Sequence, residues 1–296
     1  AFTGAAVVGY GTFALHPGLL PSSGLALDVY RVAFPLSAQA HIGLAAIVLA
    51  VALARRGGLA WLPAALSVCL LSFISEHVGT GRALPFGEYA YSGLLGPKLG
   101  GRVPWLIPLS WFLMALPSYA LARWAFPGRR ERWSRLALAT GFLVAWDLAL
   151  DPAMSWLTPY WSWGEGGAYY GMPVINLAGW TLTGIVLMGN LELLGVRERV
   201  AAVSVRWMAA YWGAMVLMPL GMLIAAGAWV AVAATTVASG SLGAIAVRAR
   251  TSRAVGAVRE RAGMDVVPGT PASTGAGGAA RARTRSRKVP TARRVS

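Results

Sequence analysis

Residues 73–108 read FISEHVGTGRALPFGEYAYSGLLGPKLGGRVPWLIP. The stretch is rich in Gly and Pro and holds Glu76, His77, Arg82, Glu88, Lys98 and Arg102. On either side lie apolar runs long enough to cross a bilayer, at about 1.5 Å of rise per helical residue and about 20 residues per crossing. Polar groups at a membrane boundary cost free energy unless they are paired or used. A simple anchor has no reason to carry this segment, so a helical membrane protein with a built site is expected.

Working outward, apolar runs fall at roughly 2–20, 31–54, 59–75, 103–126, 133–151, 172–195, 205–223 and 225–247. The last two are nearly continuous and twice too long for one crossing, so two helices meeting near Pro219–Gly227 are expected. The fold expected is all-α, a polytopic transmembrane bundle of eight spans with seven as the next count. The Gly/Pro-rich segment is expected to be irregular or re-entrant, which membranes tolerate where such backbone lines a cavity or packs on protein.

Composition agrees with this class. Hydrophobic residues make up 56% of the chain and charged residues 12%, against roughly 25% charged in a soluble domain. The formal net charge of +15 suggests nucleic acid until it is located. From Arg248 to the end, twelve Lys or Arg stand against two acids, a net +10 of the chain's net +15. The sequence therefore divides into a membrane domain, 1–247, and an Arg-rich tail, 248–296. The tail is poor in large apolar residues and is expected to be disordered, either solvated or held to anionic headgroups. No nucleic-acid partner is expected.

Short basic loops mark the cytoplasmic side. Arg55 and Arg56, then Arg129 to Arg135, then Arg197, Arg199 and Arg206, and finally the tail, all follow even-numbered spans. Both termini are thus expected in the cytoplasm, in a multi-pass protein of the cell membrane. Arg82, Lys98 and Arg102 break the rule unless they are buried in the site. No stretch resembles a cleavable leader with a basic start. A chain that begins at Ala1 without Met is expected to have a shortened first span. Cys69 is the single cysteine and reads as a packing residue. His16, His41 and His77 show no metal-ligand spacing.

Span parity puts the ends of spans three and five on one side, and so brings Glu76 and His77 to the membrane level of Asp147 and Asp151. The two aspartates stand four apart in GFLVAWDLALDP and share one helical face, and Pro152 fits a helix that ends or kinks there. Such a pair can cap a bundle through hydrogen bonds. It can hold Mg²⁺ and a diphosphate, although the second acidic cluster that chemistry needs is missing. It can also keep one carboxyl protonated while its neighbour is ionised. His77 is either a hydrogen-bonding residue or a proton relay. The run from Trp156 to Tyr170 holds six aromatic residues, which suit an interfacial belt or a greasy channel that steadies a cation. Asn176, Trp180 and Thr183 share a face of the sixth run.

Three stretches carry a family resemblance. GTGRALPFGEYAYSGLLGPKLGGRVPWLIPLSWFLMALPSY, AWDLALDP and YYGMPVINLAGWTLTG resemble the motifs of the membrane carotenoid hydratases of the CruF type, over about residues 70–190. That family includes carotenoid 1,2-hydratases and bisanhydrobacterioruberin hydratases. The resemblance implies addition of water to the terminal double bond of an acyclic carotenoid end, of the γ-carotene or lycopene type, without a redox cofactor, and the residues themselves suggest no metal site. The catalytic residues expected are Asp147 and Asp151 as acid and water-orienting base, with Glu76 and His77 as the second pair. The substrate is expected to meet Arg82, Glu88, Tyr89, Tyr91, Lys98, Trp111, Trp146, Trp161, Tyr170, Asn176 and Trp180. Its partners would be the carotenoid entering from the bilayer, membrane lipids and other enzymes of the same pathway. A membrane prenyltransferase and a non-enzymatic carotenoid carrier are the competing classes.

Overall fold

The computed structural model describes residues 2–196 and 203–261. Among the described residues, eight α-helices follow one another: α1 Phe2–Gly9, α2 Leu25–Gly57, α3 Leu62–Arg82, α4 Leu106–Ala125, α5 Arg132–Asp151, α6 Ile175–Leu193, α7 Val205–Ala225 and α8 Trp229–Arg261. Among the described residues, six of them (α2, α3, α4, α5, α7 and α8) are long and apolar enough to cross a membrane. The polytopic helical bundle expected from the sequence is what the chain forms.

The first expected span is divided. Eight residues of α1 give way to a π-helical turn, Tyr10–Ala14, and a single 3₁₀ turn, Pro17–Leu19. At about 1.5 Å per residue, α1 reaches about 12 Å, less than half the hydrocarbon core. The sixth run forms α6, which carries Asn176, Asn190 and Glu192 and is not among the six helices long and apolar enough to cross. The run 205–247 does break into two helices, α7 and α8, joined by a turn at Gly227 with φ +70°.

Burial decides which helices are central. In α4, 83% of the span is buried inside the protein, and in α5 72%, against 22% for α2 and 17% for α8. Helix α4 packs against α2, α3, α5 and α7, and α5 against α6 and α7. The outer faces of α2 and α8 carry exposed Leu25, Val29, Val32, Leu36, Val230 and Val237, as helices bathed in lipid would. Near the start of α5, Arg135 is fully buried. Its Nε donates to Glu192 of α6 at 2.8 Å, and Tyr119 of α4 donates to the same carboxylate at 2.6 Å. One ion pair thus joins three helices at one end of the bundle.

The Gly/Pro-rich segment is irregular, as expected, and it closes the other end of the bundle. Strand β1, Tyr89–Tyr91, pairs with β4, Trp161–Trp163, and β2, Lys98–Leu99, pairs with β3, Val103–Pro104. Both pairs are antiparallel, and β2 turns into β3 through Gly100 and Gly101, at φ +56° and +73°. The compact unit runs from Ala1 to Ala254, and a second unit begins at Val255. Helix α8 continues to Arg261, so the first residues of the expected tail are helical, and residues 262–296 lie outside the described residues.

Candidate active site

The β1–β4 ladder places its side chains by the period-two rule of strands. Tyr89 faces Trp163, Ala90 faces Ser162 and Tyr91 faces Trp161. Ala90 and Ser162 are exposed, whereas Tyr89, Tyr91 and Trp161 are buried against the helices below. The ladder is therefore a lid with an aromatic underside.

Beneath it, Glu76 of α3 is 4% exposed. Its Oε2 accepts hydrogen bonds from the Tyr91 hydroxyl at 2.8 Å and from the Tyr89 hydroxyl. Its Oε1 accepts from Trp111 Nε1 of α4 at 2.8 Å. Burial first, and then the charge of Glu76, hold both tyrosine hydroxyls well above the usual phenol range, so both remain donors.

Asp151 ends α5 and is 2% exposed. Its Oδ1 accepts from Trp161 Nε1 of the lid at 2.9 Å, and its Oδ2 accepts from the Asn176 amide of α6. Asn176 also reaches Asp147 Oδ2 at 3.3 Å and the Met172 sulfur at 3.0 Å. The Asn176 amide thus bridges the two aspartyl groups. Asp147 is fully buried, and among the described residues none donates a hydrogen bond to its Oδ1. Immediately after Asp151 the helix widens into a π turn, Pro152–Trp156. Proline cannot donate to the preceding turn, which accounts for the change of winding at this point.

Glu76 and Asp151 line one chamber of about 30 Å³, together with Ser110, Trp111, Trp161 and Asn176. A polar cavity holds a water once it offers about 10–15 Å³ and two to four partners, so this chamber has the room and the groups for one. The Trp111 ring stacks on Trp180 at 4.1 Å, and Trp146 meets Trp180 edge-on at 5.8 Å. Among the described residues, no Lys or Arg pairs with Glu76, Asp147 or Asp151.

Phe86 forms another wall of the chamber, and two glycines make its slot. A Cβ on Gly79 of α3 would stand 2.7 Å from the Phe86 ring, and one on Gly179 of α6 would stand 2.5 Å from it.

The structure brings together Glu76, Asp147, Asp151, Tyr89, Tyr91, Trp111, Trp146, Trp161, Asn176 and Trp180. The other five expected residues stand elsewhere. His77 is turned away from Glu76, against Phe73 and the backbone of Gly100. One residue along a helix is a rotation of about 100°, so neighbours cannot share a face. Arg82 and Glu88 are exposed, the latter over Gly164. Lys98 donates to the Tyr91 carbonyl at 2.5 Å, and so fastens the lid. Tyr170 has φ +53° and packs against Trp156 at 4.8 Å, and its hydroxyl accepts from the Ala231 N–H at 3.3 Å. Thr183 is a packing residue, bonded to Ser75 of α3 at 2.7 Å. Ser110 and Phe86 enter the chamber without having been singled out, and Trp163 enters it from the aromatic run. Position would have found Ser110, which precedes Trp111, and Phe86, which lies beside the strand that carries the tyrosines.

Comparison with known proteins bears on this arrangement. Residues 38–242 match the family described as carotenoid biosynthesis protein. The bisanhydrobacterioruberin hydratase of Haloarcula japonica is 37% identical over 152 residues, which covers 49% of this chain and 49% of that protein. The chain thus spans about half the length of the curated relative it matches. No solved structure matches it at a significant level. The family match covers all the elements that carry the acids and the lid, and on it the chain belongs to the carotenoid biosynthesis protein family.

Proposed function

We propose that the chain is a hydro-lyase that adds water to the terminal double bond of an acyclic carotenoid end, giving a tertiary 1-hydroxy group. The observation that carries the reading is the chamber itself. Two buried carboxyl groups, Glu76 and Asp151, line it beside stacked tryptophans with room for a water. Asp147 joins them through Asn176, and among the described residues their donors are all neutral.

The hydrogen-bond pattern suggests the division of labour. Glu76 accepts through both oxygens from three donors, the arrangement of an ionised carboxylate. Carboxyls packed together without a cation cannot all be ionised, so the Asp147–Asp151 pair holds a proton. Asp147, whose Oδ1 accepts from no donor, stores that proton, and Asp151, which lines the chamber, delivers it.

In the reaction Asp151 gives its proton to carbon 2 of the terminal double bond, whose π electrons form the new C–H bond. Carbon 1 is left as a tertiary cation, which the Glu76 charge and the faces of Trp111 and Trp180 stabilise. A water oxygen then bonds to carbon 1 and loses a proton to Glu76, and proton return to the aspartate pair completes the cycle. The protein would lie in the cell membrane with the basic helix ends in the cytoplasm, the chamber near the outer face and the carotenoid arriving from the bilayer.

The test is expression in a host that makes lycopene, followed by chromatography and mass spectrometry of the pigments. A product heavier by one water, absent with Asp151→Asn and Glu76→Gln, is expected. Unchanged pigment from folded wild-type protein in the membrane would sink the reading and favour a carrier.

A further inference from the structure

The acid chamber is too small to hold more than the tip of a carotenoid, so the remainder of the molecule must lie elsewhere. Three cavities supply a route. The largest, about 820 Å³, is a groove between α1 with its π turn, the first half of α2 and the second half of α7. Its walls are hydrocarbon and ring faces, among them Tyr10, Phe13, Val29 and Phe34. The exposed apolar flank of α2 borders it, with Leu25 80% exposed and Val29 56%. A middle cavity of about 50 Å³ comes next, and the acid chamber follows.

Each cavity shares a wall with the next. Ala38, Met154 and Met218 line both the groove and the middle cavity. Ile107, Ser110, Leu150 and Trp161 line both the middle cavity and the acid chamber. A residue that lines two cavities is a partition one side chain thick. Two of the three residues in the first partition are methionines, unbranched and adaptable. Met154 lies in the π turn that directly follows Asp151. The floor of the groove is tied to the lid region as well: the Tyr160 ring stacks on Phe34 at 6.0 Å and its hydroxyl donates to the Phe34 carbonyl at 3.2 Å. The other large groove, about 410 Å³ between α3 and α6, shares no lining residue with the acid chamber.

We infer that the α1–α2–α7 groove, the middle cavity and the acid chamber form one channel for a linear polyene. This rests on the function proposed above. The reactive end sits against Asp151 and Glu76, the adjoining carbons pass the Met154–Met218 partition, and the rest of the chain lies in the groove and emerges into lipid beside α2. Entry past α3 and α6 is the competing route.

The experiment measures lycopene retained per protein after purification in detergent from a lycopene-making host. Wild type is expected to retain pigment. Ala38→Trp and Met218→Trp, each filling the first partition, are expected to lower retention about tenfold or more. Leu66→Trp, on the exposed flank of α3, is expected to retain as much as wild type. Circular dichroism and gel filtration report folding. Should a Trp variant fail to fold, Ala38→Leu makes the same test with a smaller side chain. Wild-type retention in the folded partition variants would overturn the channel, as would equal loss with Leu66→Trp or no retention by wild type. Pigment retained by wild type, lost in the partition variants and never hydrated would uphold the channel while refuting the hydratase reading.

Discussion

Tyr91 and Trp161 face each other across the lid ladder, and each donates a hydrogen bond to a different buried carboxyl group, Tyr91 to Glu76 and Trp161 to Asp151. Their rings meet edge-on at 5.8 Å. The spacing of the two acids is therefore set from above, by one cross-strand pair, as well as by the helices that carry them.

Loss of a carboxyl should lower the activity of folded protein, over and above any loss of stability. Asp151→Asn and Glu76→Gln are each expected to lower hydration by about 10²–10⁴-fold, the usual contribution of a positioned acid or base. Pigment product per folded protein measures this. Retained hydration in both would remove these residues from the reaction.

The tyrosine hydroxyls hold the lid to Glu76. Tyr91→Phe leaves a buried acceptor short of a donor, at a cost of about 1–3 kcal/mol. Thermal unfolding in detergent should show a lower midpoint, together with reduced activity.

Alkaline pH should destabilise the fold through the same two groups. Burial, and then Glu76, raise the folded-state pKa of Tyr89 and Tyr91 above the unfolded value, which is about 10. Their contribution is fully present below about pH 10 and declines as pH rises beyond it. Stability measured from pH 8 to 11 should turn down near the top of that range, and the downturn should be shallower in Tyr91→Phe. An equal downturn in the variant would assign it to other groups.

Gly179→Ala is expected to push Phe86 out of its slot, at a cost of about 1–3 kcal/mol for overpacking, and to lower activity. Gly189→Ala in the same helix meets nothing within 4 Å and should be neutral or mildly stabilising, because glycine is a poor helix former. Similar effects of the two changes would show that the slot does not constrain Phe86.

At the other end of the bundle, Glu192→Gln leaves the Arg135 guanidinium buried without its counter-charge. A loss of about 3–5 kcal/mol is expected. Arg135 and Asp151 stand sixteen residues apart on α5, about 24 Å along its axis. Specific activity of the folded fraction should therefore be unchanged, which an assay normalised to folded protein would check.

Much of the site was legible because helices impose local rules. The i, i+4 spacing of Asp147 and Asp151 put them on one face, and span parity put Glu76 at their level. The same rules also separate Glu76 from His77. Ser72, Glu76 and Gly79 form a buried stripe at helical spacing, and His77 lies off it. What could not be read was the pairing of residues 89–91 with 161–163. Three-residue strands have almost no periodicity to display, and their register is set by contacts distant in sequence. Hence Lys98, expected against the substrate, instead fastens the lid backbone.

The lid is assembled from two connections, one between α3 and α4 and the other between α5 and α6, joined by a ladder of three residue pairs. Neither loop is a module that can be exchanged alone. A chimera that took residues 83–105 from a relative without the matching 157–174 would set foreign side chains against Trp161 and Trp163, and would misplace the donors to both acids at once. Loop grafting in this chain therefore has to move the two segments as a pair, and successful single grafts should be confined to donors with the same inward-facing residues.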